Sequence, residues 1–520
     1  MDRDVATLES LGDRYSSDGD HRAAMKSYQS AFDICAEDVT AHTRLAFKVG
    51  RSAFHRGIGS DADEWFNVSL DAPLPEATIA SVAHVHLQQM RALWSNSRTS
   101  DVVAFAEGIL DAATRSNNTA LILATRLSLA TVLHLLTRHG EGDLHLRAID
   151  VREISEDHKL LCMYHRVSGM AFTAAGNSEH AFESFAKALH HAEQDRDVYA
   201  TTSILLASAI CASAFGRIEF AAGSIAHALH VARENNLFWN VAYISLEYAR
   251  VLGRQGKRHL AHAYVLQAST VEDAPPVLIE ALAEIGIPIA LECDDADLLE
   301  QCANRDALAF AFRSGEPPRF GPVASSLARY YCRKGRLREA QAVLGRALAY
   351  VTKAEQNYDL AVASAEFGHD RHLASAREIL RTRTLLPNAE VALAHLSYFD
   401  ALVFKREGRA RECLREATVA ATLFRELRWT SHELAATSLC KSVARDVAKV
   451  KTSDDAVALV PSELTPREQS VARLAIAGLS NQEIADALAI SARTVESHMT
   501  SILRRTGLQS RHQLLGALSG

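Results

Sequence analysis

The chain has 520 residues, is 48% hydrophobic and carries a formal net charge of −7. It is too long for one core, which predicts several domains or a repeat array, and its acidic balance excludes a generic polyanion binder. The eight cysteines (Cys35, Cys162, Cys211, Cys293, Cys302, Cys332, Cys413 and Cys440) form no CxxC pair or zinc spacing, no apolar run approaches the ~18 residues of a bilayer span, and the acidic N-terminus has no signal segment, so a soluble cytoplasmic protein with reduced thiols is expected.

Residues 11–31 set a pattern. In LGDRYSSDGDHRAAMKSYQSA, Leu11, Gly12, Tyr15, Gly19, Ala24, Tyr28 and Ala31 stand at offsets that return as Ser168, Gly169, Phe172, Gly176, Ala181, Phe185 and Ala188. The same offsets return around Gly57, Gly216, Gly256, Gly335 and Gly408. Glycines 176, 216 and 256 are about 40 residues apart; filling the gaps predicts roughly eleven repeats, the degenerate ones centred near residues 97, 137, 296 and 372.

Each repeat reads as two antiparallel helices. The glycine supplies the left-handed residue that ends the first helix. Ala24, Ala181, Ala221, Ala261 and Ala340 permit close helix approach, and Tyr28, Phe185, Ile225, Val265 and Leu344 fill the space between repeats. One hairpin cannot bury its apolar face alone, so neighbours must stack. Over about residues 1–445 the pattern resembles tetratricopeptide repeats, slightly longer than their usual period.

Proline-bearing stretches 71–77, 272–277 and 314–322 read as inter-repeat loops. The tryptophans Trp65, Trp94, Trp239 and Trp429 fall in helical stretches as packing residues. His227 with His230, and His259 with His262, have i,i+3 spacing, but no carboxylate or thiolate completes a metal motif, and no metal or cofactor is expected. No GxxxxGK[ST] and no Ser–His–Asp or metal-hydrolase motif occurs, so the chain is not expected to be an enzyme.

Composition shifts at residues 447–462, which read as a linker. Beyond it, over 463–520, caps mark four short helices. Thr465 with Glu468 forms a capping box behind Pro466, and Gly478 ends the first helix. Ser480 caps Asn481 to Leu488, and Ser491 caps Ala492 to about Arg505. Gly507 closes that third helix and Ser510 caps a fourth. In the third helix Val495, Met499, Ile502 and Thr506 form one stripe, while Arg493, Glu496, Ser497, Thr500 and Arg504 take the opposite face. Such a face fits a major groove.

This segment resembles the LuxR-type helix–turn–helix DNA-binding domain. The resemblance implies that Glu496, Ser497 and Thr500 face bases, and that Ser491, Arg493, Thr494, Arg504 and Arg511 lie near phosphates. It implies that Ser480 and Asn481 offer a helix N-terminus to a phosphate, and that Leu514, Leu515 and Leu518 pair two domains on double-stranded DNA. Position 496 is often basic in such domains. Glutamate instead can accept from cytosine N4 and repels phosphate, so operator sequence does not transfer from relatives. Residues 463–520 hold six arginines, no lysine and five acids, which predicts modest non-specific affinity and reliance on a homodimer.

The fold expected is all-α: a tetratricopeptide-like superhelix over 1–446, then a four-helix DNA-binding unit. Sensors that need an α/β domain are excluded by the helical pattern. The array takes the sensor position, which implies a bacterial transcription regulator, cytoplasmic and on the nucleoid when bound to DNA. A protein-interaction scaffold or co-regulator whose DNA contact is secondary stays open, and a hidden catalytic pocket is disfavoured. Counting back from the turn glycines places Arg166, Arg250, Arg254, Arg329, Arg333, Lys405 and Arg406 on the concave face. Arg254, Arg333 and Arg406 also suit helix C-termini without any ligand. The expectation is a groove for an acidic ligand, peptide or protein segment.

Overall fold

A computed structural model describes residues 2–17, 19–35, 37–56, 59–71, 99–271, 274, 276–304, 307–309, 317–350, 357–385, 389–450, 464–476, 480–488 and 490–507. Every regular element among them is helical. Gly57, Trp94, Gly478, Ser510, the stretch 72–77 and the repeat near residue 97 lie outside the described residues.

The hairpins follow from their turns. Gly19, Gly176, Gly216, Gly256, Gly335 and Gly408 have φ of 75°, 77°, 72°, 77°, 73° and 73°, the left-handed region that glycine enters without a Cβ penalty. The next residue then donates its N–H back into the helix, as from Asn177 to the Phe172 carbonyl at 2.9 Å and from Arg217 to that of Ala212 at 2.8 Å. Two degenerate repeats keep the turn without the glycine, Thr137 at φ 60° and Asp294 at φ 55°, while the one near residue 372 turns through extended Gly368 and the 3-10 turn Asp370–His372. Packing holds Thr137 and Asp294 in a conformation they would not choose.

Within the hairpins the small and large positions behave as their offsets require. Ala24, Ala181, Ala221, Ala261 and Ala340 are fully buried, and Tyr28, Phe185, Ile225, Val265 and Leu344 are buried between repeats. Gly12 and Gly169 are needed for another reason. A Cβ there would stand 2.5 Å from the Tyr28 ring and 2.7 Å from the Phe185 ring.

Three proline and tryptophan expectations change. Residues 314–322 are not simply a loop: the helix Pro317–Arg333 begins there and contains Pro322. Pro317 fits a first turn, whose N–H groups have no helical acceptor. In 272–277 the helix Pro276–Ala281 starts at the second proline. Trp429 is not helical. It sits in the turn before the helix Thr430–Val450, after Arg428 at φ 57°.

A π-helical turn, Leu282–Gly286, joins Pro276–Ala281 to Ile287–Cys293. Pro288 has no N–H for the Glu284 carbonyl, and the Ser326 hydroxyl donates to that carbonyl instead, at 2.9 Å.

The array winds until distant repeats touch. A Cβ on Gly19 would meet Asn235 and Asn236; on Gly216, Leu427; on Gly256, Thr430. Roughly 210 residues, or about five repeats, separate the first two pairs. The turn at 427–430 therefore seats on the middle repeats. Trp429, 2% exposed, shares a buried cluster with Ile218, Leu237 and Phe424.

The helix Thr430–Val450 continues four residues into the expected linker. Its Leu439, Cys440, Val443 and Ala444 join one apolar cluster with Leu464, Val471, Leu474, Ile484, Val495, Met499 and Ile502. The C-terminal unit is thereby packed on the last helices of the array.

Candidate nucleic-acid interface

Of the four C-terminal helices expected, the described residues contain three: Pro466–Ile476, Asn481–Leu488 and Ala492–Thr506. The predicted capping box is present. Thr465 donates its N–H to Glu468 Oε2 at 2.8 Å, and the Glu468 N–H reaches Thr465 Oγ1 at 3.3 Å. Glu468 does more than cap. Its Oε1 accepts from the Ser501 hydroxyl at 2.6 Å, and Arg505 Nη1 lies 3.6 Å from its Oε2. These contacts, Ser501 first, hold the Glu468 carboxyl down to about 2. Arg467 donates to the Leu488 carbonyl at 2.8 Å, tying the first helix to the end of the second.

The third helix is fixed at both ends. Ser491 Oγ accepts from the Thr494 N–H at 3.0 Å, and Gly507 at φ 70° closes the C-terminus through its N–H to the Leu503 carbonyl. Val495, Met499 and Ile502 are buried. Ser491, Arg493, Glu496, Ser497, Thr500 and Arg504 are exposed, and Thr494 is half-buried. The Thr500 hydroxyl donates to the Glu496 carbonyl at 2.9 Å, leaving its oxygen free to accept. Ser480 is exposed and accepts the Ile484 N–H at its carbonyl at 3.0 Å, as an N-cap does; Asn481 is half-buried. Arg511, Leu514, Leu515 and Leu518 lie outside the described residues.

The array grips this unit through other surfaces. The helices ending at Glu426 and Val450 pack on Asn481–Leu488, and the latter also on Pro466–Ile476. Arg493, Glu496, Ser497, Thr500 and Arg504 of Ala492–Thr506 remain exposed with these contacts in place.

The cations expected in the groove are brought together only in part, and carboxylates not expected from the sequence stand among them. Arg250 pairs with Glu247 at 3.0 Å and with Glu284. Arg329 stands 3.7 Å from Glu366, with Asp359 close to both Arg329 and Arg254. Lys405 lies near Glu366 and donates to Ser442 at 3.4 Å. The result is an alternating ladder of charge along neighbouring repeats. Glu247, three residues before Arg250, was the one signal visible in sequence. Arg333 pairs with Asp294 on the exposed surface, and Arg166 donates to Ser203 at 3.4 Å. Arg406 donates to the carbonyls of Ala365 and Gly368 at 3.1 and 3.0 Å and pairs with Asp370, so it closes the end of the neighbouring helix Tyr358–Phe367 and not that of its own helix. Of the histidine pairs, His227 and His230 are exposed, and His262 pairs with Asp295 at 2.8 Å. Among the described residues no group of three or more potential ligands could hold a metal ion, and no helix is long and apolar enough to cross a membrane.

Comparison with known proteins bears on the same segment. Residues 462–516 match the family described as "Bacterial regulatory proteins, luxR family". A protein of Mycobacterium tuberculosis (strain ATCC 25618 / H37Rv) described as an HTH-type transcriptional regulator is 50% identical over 52 residues, 10% of this chain and 6% of that protein. The response regulator Rre1 of Synechocystis is 45% identical over 53 residues, 10% of this chain and 23% of Rre1. The similarity thus spans a small part of these relatives' length. Among solved structures, a Rap protein complexed with Competence and Sporulation Factor aligns at 12% identity over 67% of this chain and 97% of its own, with a TM-score of 0.48. The apo quorum sensor NprR from B. thuringiensis aligns at 14% identity over 71% of this chain and 99% of its own, with a TM-score of 0.38.

Proposed function

From a C-terminal unit that is a luxR-family helix–turn–helix domain, we propose that this chain is a transcription regulator whose helical-repeat array receives a ligand, peptide or protein partner and passes that event to DNA binding. One observation carries the reading. The face bearing Arg493, Glu496, Ser497, Thr500 and Arg504 stays exposed while the opposite face and the other two helices are packed, the latter against the array. An exposed helix face of short polar side chains flanked by arginines is the surface that enters a major groove.

Two such units, paired through the segment bearing Leu514, Leu515 and Leu518, read the two halves of a pseudo-palindrome. The array acts by shape. Its last helix leads out of the 427–430 turn, which seats on the middle repeats, and is the platform of the DNA-binding unit, so a change in superhelical winding moves the platform. The ladder leaves the concave face nearly balanced in charge, which suits a partner carrying polar groups of both signs.

The test is selection of bound fragments from sheared genomic DNA by the full chain at low salt, followed by footprinting. Protection of two half-sites about one helical turn apart is expected. Absence of any footprint, with a protein partner recovered instead from cells, would replace the reading with that of a scaffold.

A further inference from the structure

Among the described cations expected in the groove, Arg254 is half-buried and has no carboxylate in direct contact. It ends the helix Phe238–Arg254, its guanidinium donates to the Ser213 hydroxyl, and it lies 4.3 Å from the centroid of the Trp429 ring. Arg250, one turn away, is neutralised by Glu247 and Glu284. The Arg254 side chain is pushed down to about 10, by its burial first and by Arg250 second, with Asp359, Glu247 and Glu284 opposing at longer range. A guanidinium has five N–H donors, and here one Ser hydroxyl and one aromatic face take up what the described residues provide.

The ring beneath it shows the complementary deficit. Trp429 is 2% exposed, and its indole N–H has no acceptor among the described residues. A buried donor without a partner is costly, and an indole N–H can only donate. Gln255, next in the chain to Arg254, also has both amide atoms buried and unpartnered among the described residues. The location matters as much as the donors. Trp429 directly precedes the helix Thr430–Val450 that carries the DNA-binding unit, and its neighbours Leu427 and Thr430 rest on Gly216 and Gly256. An acceptor at the edge of the Arg254–Trp429 pair would bridge the middle of the array to its last helix.

The geometry points to an acid-binding site at Arg254 and Trp429, where one carboxylate or phosphate of a ligand lying in the array accepts from the guanidinium and the indole and tightens the seat of the 427–430 turn. This rests on the reading of the array as the receiving part of a regulator. Forked acceptance by a planar or tetrahedral acid group is what a guanidinium favours over a point charge.

The test uses the full chain and two probes, inorganic phosphate and succinate, titrated at constant ionic strength with chloride as the balance. The Trp429 emission is isolated as the difference between the native chain and W429F. A saturable change with phosphate or with succinate is expected, and which of them acts tells the phosphate source from the carboxylate source. R254Q should abolish the change, and R254K should weaken the apparent affinity at least 10-fold, because the fork is lost while the charge is kept. R152Q, at an exposed arginine paired with Asp150, should leave it intact. If R254Q fails to fold by circular dichroism, R254K carries the comparison. No saturable change with either anion, or an equal change in R254K, overturns the site. DNA binding is read on the same samples. A chain that binds DNA but ignores both anions loses this site and keeps the regulator reading; one that shows the Arg254-dependent change but binds no DNA keeps the site and loses the regulator reading.

Discussion

Glu468 and Ser501 join the first and third helices of the C-terminal unit by a hydrogen bond of 2.6 Å, donated by the serine. The recognition helix is thus registered by the same carboxylate that caps the start of the unit. Glu468→Ala should loosen Ala492–Thr506 without unwinding it, since the Ser491 and Gly507 caps are independent. The sign with pH follows. The carboxyl is held at about 2 against an ordinary 4.5, so its contribution is complete above about 4.5 and disappears as pH falls towards 2. Hydrogen exchange at the Val495 and Ile502 amides, corrected for intrinsic rate, should accelerate in the variant at neutral pH and in the native chain only below pH 4.5. Identical protection in both at neutral pH would show that the clamp is idle.

Within the recognition helix, base-facing and phosphate-facing residues should separate by phenotype. Thr500→Ala or Ser497→Ala should change which fragments are selected, because each hydrogen bond to a base edge is worth about 1–3 kcal/mol of discrimination. Arg504→Ala should weaken all fragments alike and lower the slope of log affinity against log salt by about one. Replacing Glu496 by Lys should raise non-specific affinity, because a like charge facing phosphate is removed and an opposite one installed. Selection from a random pool and salt titration read these separately. A uniform weakening across fragments for Thr500→Ala would move that residue from base to backbone.

Arg250 should prove structural. Arg250→Ala leaves Glu247 and Glu284 without their shared counter-ion, and breaking a largely buried pair this way costs about 3–5 kcal/mol. Urea unfolding followed by circular dichroism should show that destabilisation, and adding Glu284→Gln should recover part of it. A neutral Arg250→Ala would mean that the ladder contributes no stability and that Arg250 is available to a ligand.

The array should be acid-labile well above the carboxylate range. His21 and His395 are buried, and both are held down to about 4 by loss of solvent, with Arg51 adding to the effect at His21 and with Asp359 and the Val391 carbonyl opposing it at His395. A folded value below the unfolded 6.5 means that stability is complete above pH 6.5 and falls as pH drops towards 4. For His395 the decrease is on the order of 3 kcal/mol. Thermal melts should be flat from pH 7 to 8 and fall steeply from 6.5 to 4, and His395→Asn should flatten that limb. An unchanged melting temperature at pH 5 would contradict the burial of these rings.

Some features were legible without tertiary information because they are local. A glycine after a helix-length apolar pattern specifies a left-handed turn, and six such glycines take it. Ser491, Gly507 and the Val495, Met499, Ile502 stripe are read from caps and the 3.6-residue period, and the structure places each accordingly. Local rules also misled. Proline in 314–322 reads as a loop, although the first turn of a helix accepts it. Trp429 reads as helical because the turn before it lacks glycine and uses Arg428 in the left-handed region instead.

By itself the sequence determined the helical hairpins, their small and large packing positions, and a C-terminal helix with one polar and one apolar face, since each depends on neighbours within a turn or two. Only the tertiary structure decided what the groove arginines meet. Arg250 finds Glu284 34 residues away, in the next repeat, and no periodicity along one helix announces that pairing. The same holds for Trp429 beneath Arg254 and for the docking of the C-terminal unit on Thr430–Val450. The Trp429–Arg254 contact in particular arises from small rotations accumulated repeat by repeat until distant repeats meet, a sum that no single stretch of chain contains.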